Sequence, residues 1–470
     1  MTGEDPKPII LFAITSNNYV RNYVEAGVIK SLREHYNVHV VCSSEVTKLD
    51  VLRNFDIDPV IWHEERSRKN RHLFLNQILM WRARKRSKTF YYRWLRMANW
   101  KGVNRDDGPI YRAISATKWL LSLCANWQAL RVPIFGNRVV FPISSRILKA
   151  LLPVPPSLDA LLSKIGPSAV IFPSSAHESL TTDITRAAKR AGVPSAALID
   201  NWDNLSSKTV LWSKPDFVGV WGEQTKQQAL TIQGFDSQQV FKLGTPRFEG
   251  YFDQRNDPGA PIPNPYVLFA GSAMAFDEIT ALHKLERALE NLGPEFSDFQ
   301  IVYRPHPWQQ KRKVTNRFVE LDFSRTLLDP QIKSHAELSS SPENFQPDLS
   351  YYPRLLNNAS VVVGPLTTML FEAALCHREI IALAYNDGIH PVTLKAYFSH
   401  FNGLEKIPGF RFCENPDNMQ TLLLAALTAD SASISNNSNV LDFYLTFSPG
   451  TYSDRLLRML RTVTKKGPDS

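Results

Sequence analysis

Cysteine is scarce in this chain. Four cysteines in 470 residues, Cys42, Cys124, Cys376 and Cys413, stand at no paired spacing. That excludes a disulfide framework and a cysteine-held zinc site, and a reducing compartment is expected. No uninterrupted apolar run of about 18 residues occurs, so no transmembrane helix is expected. The N-terminal residues Met1 to Pro8 are polar and acidic, without the basic-then-apolar order of a secretory signal. The turn after the first apolar run, Thr15-Ser16-Asn17-Asn18, contains no glycine. A Gly-x-Gly-x-x-Gly dinucleotide fingerprint and a phosphate-cradling P-loop are both missing there.

What is present is an alternation of short apolar runs and helical periods. Hydrophobic residues make up 43% and charged residues 21%, which places the chain among globular proteins large enough for two or three domains. Apolar runs at Ile9–Ile14, Val38–Cys42, Ala169–Phe172, Ser195–Ile199, Phe217–Val220 and Val240–Leu243 read as strands. Their separation by helical periods predicts a doubly wound parallel sheet. Residues 254–265, rich in Asp, Pro, Gly and Asn, read as a linker. A second series follows, with strands at Tyr266–Ala270, Ile301–Tyr303, Ser360–Val363 and Glu379–Ala384. The expected organisation is therefore α/β. Residues 1–253 form a Rossmann-like acceptor domain, 266–445 form a Rossmann-like nucleotide-donor domain, and a helix and tail occupy 446–470. The polar stretch Asp329 to Asp348 is expected to be a loop, and the terminal helix is expected to pack across both domains.

The net charge of +9 is unevenly placed. Between Glu64 and Arg105 there are 13 Lys or Arg, interleaved with Trp81, Trp94, Trp100 and other large apolar groups. This basic helical insertion, 64–130 in full, suits an anionic membrane surface contacted through 64–105. A solvated helical pair with inward aromatics accounts for the same pattern. No nucleic-acid partner is expected.

Candidate site residues follow from strand ends, because ligands of open α/β sheets bind at the carboxyl ends of strands. In the second half, Ile301-Val302-Tyr303 ends abruptly in Arg304-Pro305-His306-Pro307, where two prolines stop the strand. Arg304 offers a planar donor fork suited to phosphate, and His306 can donate to or protonate a phosphate oxygen. Gly364-Pro365-Leu366-Thr367-Thr368 opens a helix directly after a strand, where free amides and the helix dipole favour an anion. Glu372 lies one turn further in, and Asn386 with Asp387 stands after the next strand. In the first half, Asp200-Asn201-Trp202-Asp203 follows a buried strand. Two carboxylates at that place are candidates for a base or nucleophile, and an Asx turn capping a helix is the alternative. Glu223 and Glu178, also near strand ends, stand behind them.

These motifs carry a resemblance. Arg304-Pro305-His306-Pro307 followed by Gly364-Pro365-Leu366-Thr367-Thr368 resembles the His-Pro and paired-hydroxyl motifs of GT-B glycosyltransferases that use cytidine nucleotides. That group includes bacterial sialyltransferases, Kdo transferases and CDP-glycerol glycerophosphotransferases. The Asp-Asn-Trp-Asp-Asn, Trp-Gly-Glu and Gly-Thr-Pro-Arg stretches are similar to surface-carbohydrate proteins. The resemblance covers about Ala169 to Ala384. It implies two Rossmann-like domains facing across a cleft, with His306, Thr367 and Thr368 on the donor phosphate. It also implies a glycosyltransferase that moves a sugar from a nucleotide-sugar donor to a surface-polysaccharide or lipid-linked glycan acceptor. A cytoplasmic enzyme is expected, with peripheral association at the inner face of the plasma membrane as an option that the basic stretch leaves open. Protein cations and a helix dipole would neutralise the leaving group, so no metal and no cofactor are expected, the nucleotide sugar being a substrate. A CDP-polyol phosphotransferase of the teichoic-acid type is one alternative. A non-catalytic scaffold binding polysaccharide or membrane is another.

Overall fold

The structure is a computed structural model. It describes residues 6–63, 68, 71–72, 109, 113, 133–134, 136–175, 178–207, 211, 213–253, 259–273, 276–306, 323–338, 350–389, 393–430 and 438–465. Most of the expected basic insertion lies outside the described residues, as do Pro307 and Trp308. The chain divides into two compact units, Met1–Pro246 with Asp442–Ser470, and Arg247–Leu441.

Among the described residues the first unit holds seven strands: β1 (Ile9–Ile14), β2 (Asn37–Ser43), β3 (Val60–Trp62), β4 (Ala169–Ser174), β5 (Ser195–Ile199), β6 (Phe217–Val220) and β7 (Val240–Lys242). They form one parallel sheet in the order β3-β2-β1-β4-β5-β6-β7. The unbroken apolar character of β1 has a direct cause. Ile10, Phe12 and Ile14 enter one core cluster, while Leu11 and Ala13 enter a second on the opposite face. A strand covered on both sides cannot alternate apolar with polar. The helix Tyr452–Lys465 supplies Tyr452, Leu456, Met459, Leu460 and Val463 to the first cluster, so the tail belongs to this unit's core. Arg455, buried in that helix, fastens it by donating to the Leu243 carbonyl at 2.8 Å. The opposite face is covered by the helix Ser179–Arg190 through Leu180, Ile184, Ala187 and Ala188.

Among its described residues the second unit holds six strands: β8 (Tyr266–Ala270), β9 (Gln300–Arg304), β10 (Thr326–Leu328), β11 (Val361–Pro365), β12 (Glu379–Leu383) and β13 (Phe410–Cys413). They run parallel in the order β10-β9-β8-β11-β12-β13. Each unit is Rossmann-like, with strand order reversing beside its first strand. One expectation is corrected here. The stretch read as a loop from Asp329 begins instead with a helix, Pro330–Leu338. Asp329 accepts from the amides of Gln331 at 2.8 Å and Ile332 at 3.1 Å, and Pro330 stands at the first helical position. A cap and an N-terminal proline outweigh the polarity of the following residues.

Candidate functional site

In the first unit the strand order reverses between β1 and β4, and the acidic residues gather at the carboxyl ends there. Glu178 precedes the helix Ser179–Arg190 in extended conformation. Four donors converge on its carboxylate. The Tyr19 hydroxyl donates to Oε1 at 2.6 Å, and the Ser175 amide and hydroxyl reach the same oxygen at 2.8 and 2.7 Å. The Ser174 hydroxyl reaches Oε2 at 3.0 Å. Tyr19 is buried, and its phenol is pushed well above its usual range, by burial first and then by the charges of Glu178 and Asp200. Asp200 thus shares this corner, its amide extending the ladder by donating to the Ser174 carbonyl at 2.9 Å.

The other two acidic candidates stand elsewhere. Asp203 precedes the short helix Asn204–Ser207; its carboxylate accepts from the Ser207 hydroxyl at 2.6 Å, and its carbonyl accepts from the Ser207 amide at 2.8 Å. The carboxylate is therefore engaged at the start of this short helix. Trp202, between the two aspartates in sequence, is a core residue. It is 1% exposed and packs edge-on against Tyr444 at 6.4 Å. Glu223 begins the helix Glu223–Gln228 and pairs with Lys242 at 3.2 Å, both partly exposed.

The second unit reverses between β8 and β11, and there the backbones close tightly. A Cβ at Gly364 would lie 2.3 Å from the Ala270 carbonyl oxygen. One at Gly271 would lie 2.8 Å from Glu278 Oε2, 2.9 Å from the His306 amide nitrogen and 3.0 Å from the Arg304 carbonyl oxygen. Only glycine lets the ends of β8, β9 and β11 approach this closely. Glu278, 1% exposed, ties the apex together by accepting from the Ser272 amide at 2.8 Å and the Tyr303 hydroxyl at 2.5 Å. After β11, Thr367 takes the extended conformation of a helix cap (φ −134, ψ 156) before the helix Thr368–Leu375, yet its side chain makes no capping bond. The partly exposed Thr367 and Thr368 and the half-buried His306 are thus placed by strand ends that meet at one apex.

Arg304 departs from the expectation of an exposed phosphate fork. It is 2% exposed. Nη1 donates to Asp329 Oδ2 at 2.6 Å and Nη2 to Gln331 Oε1 at 3.1 Å. The guanidinium lies over the rings of Tyr352 (4.2 Å) and Tyr351 (5.3 Å). Burial alone would lower its pKa, but Tyr352 and Asp329 outweigh it and hold the cation more firmly than usual. Arg304 therefore braces the end of β9, two residues before His306. Glu372 is likewise engaged. It accepts from Arg247 at 3.2 Å and from the Tyr251 hydroxyl, whose pKa is raised by burial and then by Glu372. Asn386 and Asp387 form Asx turns with the amides of Gly388 (2.8 Å) and Ile389 (3.1 Å). Asp387 Oδ2 also receives the Asp277 amide at 3.3 Å.

Sequence reasoning missed Tyr19, Glu278 and Asp329. Glu278 carried an available signal, an acid opening the helix Glu278–Glu290 just after a Gly-Ser turn.

No protein-family model and no curated protein sequence matches this chain. Several solved structures resemble it in fold. The UDP-GlcNAc 2-epimerase of Methanocaldococcus jannaschii matches with a TM-score of 0.53 at 12% identity, over 97% of this chain and 99% of that one. The UDP-GlcNAc 2-epimerase of Neisseria meningitidis, in a structure bound to UDP-GlcNAc, matches with a TM-score of 0.52 at 10% identity over 97% and 100%. The UDP-N-acetylglucosamine 2-epimerase of Rickettsia bellii matches with a TM-score of 0.51 at 15% identity over 98% and 97%. At such identities the likeness shows the fold alone: two Rossmann-like units of the GT-B class.

Proposed function

We propose that this chain is a nucleotide-sugar enzyme of the GT-B class, and that the second unit holds the nucleotide phosphates. The observation that carries the reading is the apex at β8 and β11. Glycines bring the backbones together there, and the helix Thr368–Leu375 begins with a threonine hydroxyl that makes no cap. Helix-start amides and the dipole favour an anion, and hydroxyls add donors. Thr367, Thr368 and the Gly364 turn contact the phosphates, and His306 donates to or protonates the leaving oxygen. Arg304 acts behind them by fixing the strand end from which His306 emerges. Glu372, Asn386 and Asp387 shape the rim of the same donor site.

In this reading the reaction is glycosyl transfer to a surface-polysaccharide or lipid-linked acceptor, with charge on the leaving group neutralised by His306 and the helix start. Asp200 is the first choice of base or nucleophile, beside a Glu178 held in place by Tyr19, Ser174 and Ser175; Asp203 and Glu223 follow. A second reading, an epimerase acting on the sugar while it stays nucleotide-linked, is favoured by the full-length likeness to UDP-GlcNAc 2-epimerases.

Product analysis after incubation with UDP-GlcNAc and with CMP- and CDP-linked donors, with and without glycan acceptors, separates the readings. Acceptor-dependent release of nucleotide supports transfer of a sugar, or of a polyol phosphate where the donor is a CDP-polyol. An isomeric nucleotide sugar formed without acceptor supports epimerisation. Absence of nucleotide binding by calorimetry supports the scaffold.

A further inference from the structure

The helix Val140–Leu151 in the first unit is inverted in polarity. Its exposed positions, together with the preceding residue, are Val139, Pro142, Ile143, Arg146, Ile147 and Ala150, which share one helical face. Val139 is 69% exposed, Ile143 51% and Ile147 55%. The inward side carries Ser145, 8% exposed. Among the described residues ten large hydrophobic side chains are exposed, and four of them, Ile134, Val139, Ile143 and Ile147, fall in this one segment. Scattered apolar groups on a surface need no explanation, whereas a contiguous apolar face marks a contact.

The helix is held to the unit at its end. Arg186, in the helix Ser179–Arg190, donates to the Lys149 carbonyl at 2.9 Å and to the Leu152 carbonyl. Leu152 is buried, and Val154 joins the core cluster against β4 and β5. The outward face is thus displayed from an anchored element.

The sequence around it is cationic. Residues 108–158 contain no Asp or Glu and six Lys or Arg. Arg138 and Arg146 are exposed beside the apolar stripe. At the far end, the Lys149 ammonium is lowered from its usual pKa by burial and then by the nearby charges of Arg186 and Lys189, which marks a crowd of cations.

We propose that Val140–Leu151 docks the chain flat on an anionic lipid surface, with Val139, Ile143 and Ile147 entering the headgroup–acyl boundary and Arg138 and Arg146 meeting lipid phosphates. Twelve residues span about 18 Å, too short to cross a hydrocarbon core of about 30 Å, so the helix lies in the interface. An apolar face alone would suit a second copy of the chain. Cations beside the stripe repel a like-charged copy and attract an anionic surface. The inference does not rest on the nucleotide-sugar reading.

The test uses the full chain in co-sedimentation with vesicles of phosphatidylcholine alone or mixed with phosphatidylglycerol. The wild type is expected on the mixed vesicles, with retention falling as salt rises. Ile143→Ser with Ile147→Ser is expected to lower the partition by about tenfold or more, since buried methylenes drive it. Arg138→Glu with Arg146→Glu is expected to lower it by more than about fivefold and to flatten the salt dependence. Thermal unfolding monitors folding of both variants. An Ile143→Cys variant, read by mass mapping of maleimide labelling at that position, should label freely in solution and be protected by mixed vesicles. Wild-type protein that ignores mixed vesicles overturns the proposal, as do variants that bind them equally. Protection of Ile143→Cys without vesicles assigns the face to the chain's own residues or to a second copy, and also overturns it.

Discussion

The two units share a strand order that reverses beside a central strand, yet they arm that corner in opposite ways. In the first unit the corner between β1 and β4 collects carboxylates, Glu178 and Asp200, around a buried phenol. In the second unit the corner between β8 and β11 keeps its acids below the surface as struts. Glu278 ties Ser272 to Tyr303, and Asp329 ties Arg304 to the helix Pro330–Leu338. What reaches the apex there is a set of donors: a helix start, threonine hydroxyls and an imidazole. One fold thus gathers hydrogen-bond acceptors at this corner of one unit and donors at the same corner of the other.

The largest expected effect comes from breaking the struts of the second unit. Asp329→Ala leaves the Arg304 guanidinium buried without its carboxylate, which should cost about 3–5 kcal/mol. Thermal unfolding should show this as an early transition, and loss of the Arg304 brace should weaken nucleotide binding as well. Gly364→Ala follows. Its new methyl meets a backbone oxygen that cannot step aside, so a stability loss of about 1–3 kcal/mol is expected in denaturant titration, with nucleotide binding weakened as the apex opens.

Thr367→Val tests the comparison at its donor side. The threonine side chain makes no capping bond in the structure, so stability should barely change. Nucleotide affinity should fall by about tenfold in calorimetry, in keeping with a hydrogen bond to a charged oxygen. The smallest effect is expected in the first unit. Tyr19→Phe removes one of four donors to Glu178 while keeping the ring packed, at about 1 kcal/mol of stability. Nucleotide binding should be unchanged while turnover drops; a loss of binding instead would move the phosphate site toward the first unit.

The scaffold was largely legible from sequence because central parallel strands are buried on both faces and read as apolar runs. The runs at β1, β4, β5, β8 and β11 lie within a residue or two of their places in the structure. Side-chain commitments were not legible. A strand-end arginine reads the same whether it faces solvent or an aspartate 25 residues later, and Arg304 is held by Asp329. Asp203 carried both a site reading and a capping reading, and its carboxylate instead accepts from the Ser207 hydroxyl, which no sequence pattern signals. The helix Pro330–Leu338 was hidden by its polar residues although its cap and proline were in view. Conversely, the helix Val140–Leu151 lies between the basic stretch and β4, where no motif marked it.

The second unit's apex is proposed to bind nucleotide phosphates. Calorimetric titration of UDP, CDP and CMP into the wild type, His306→Ala and Thr367→Val tests it most directly. The wild type is expected to bind at least one of these nucleotides, and each variant to bind it about tenfold more weakly with unfolding unchanged. Equal affinity in all three proteins, or no binding of any nucleotide by the wild type, would contradict it.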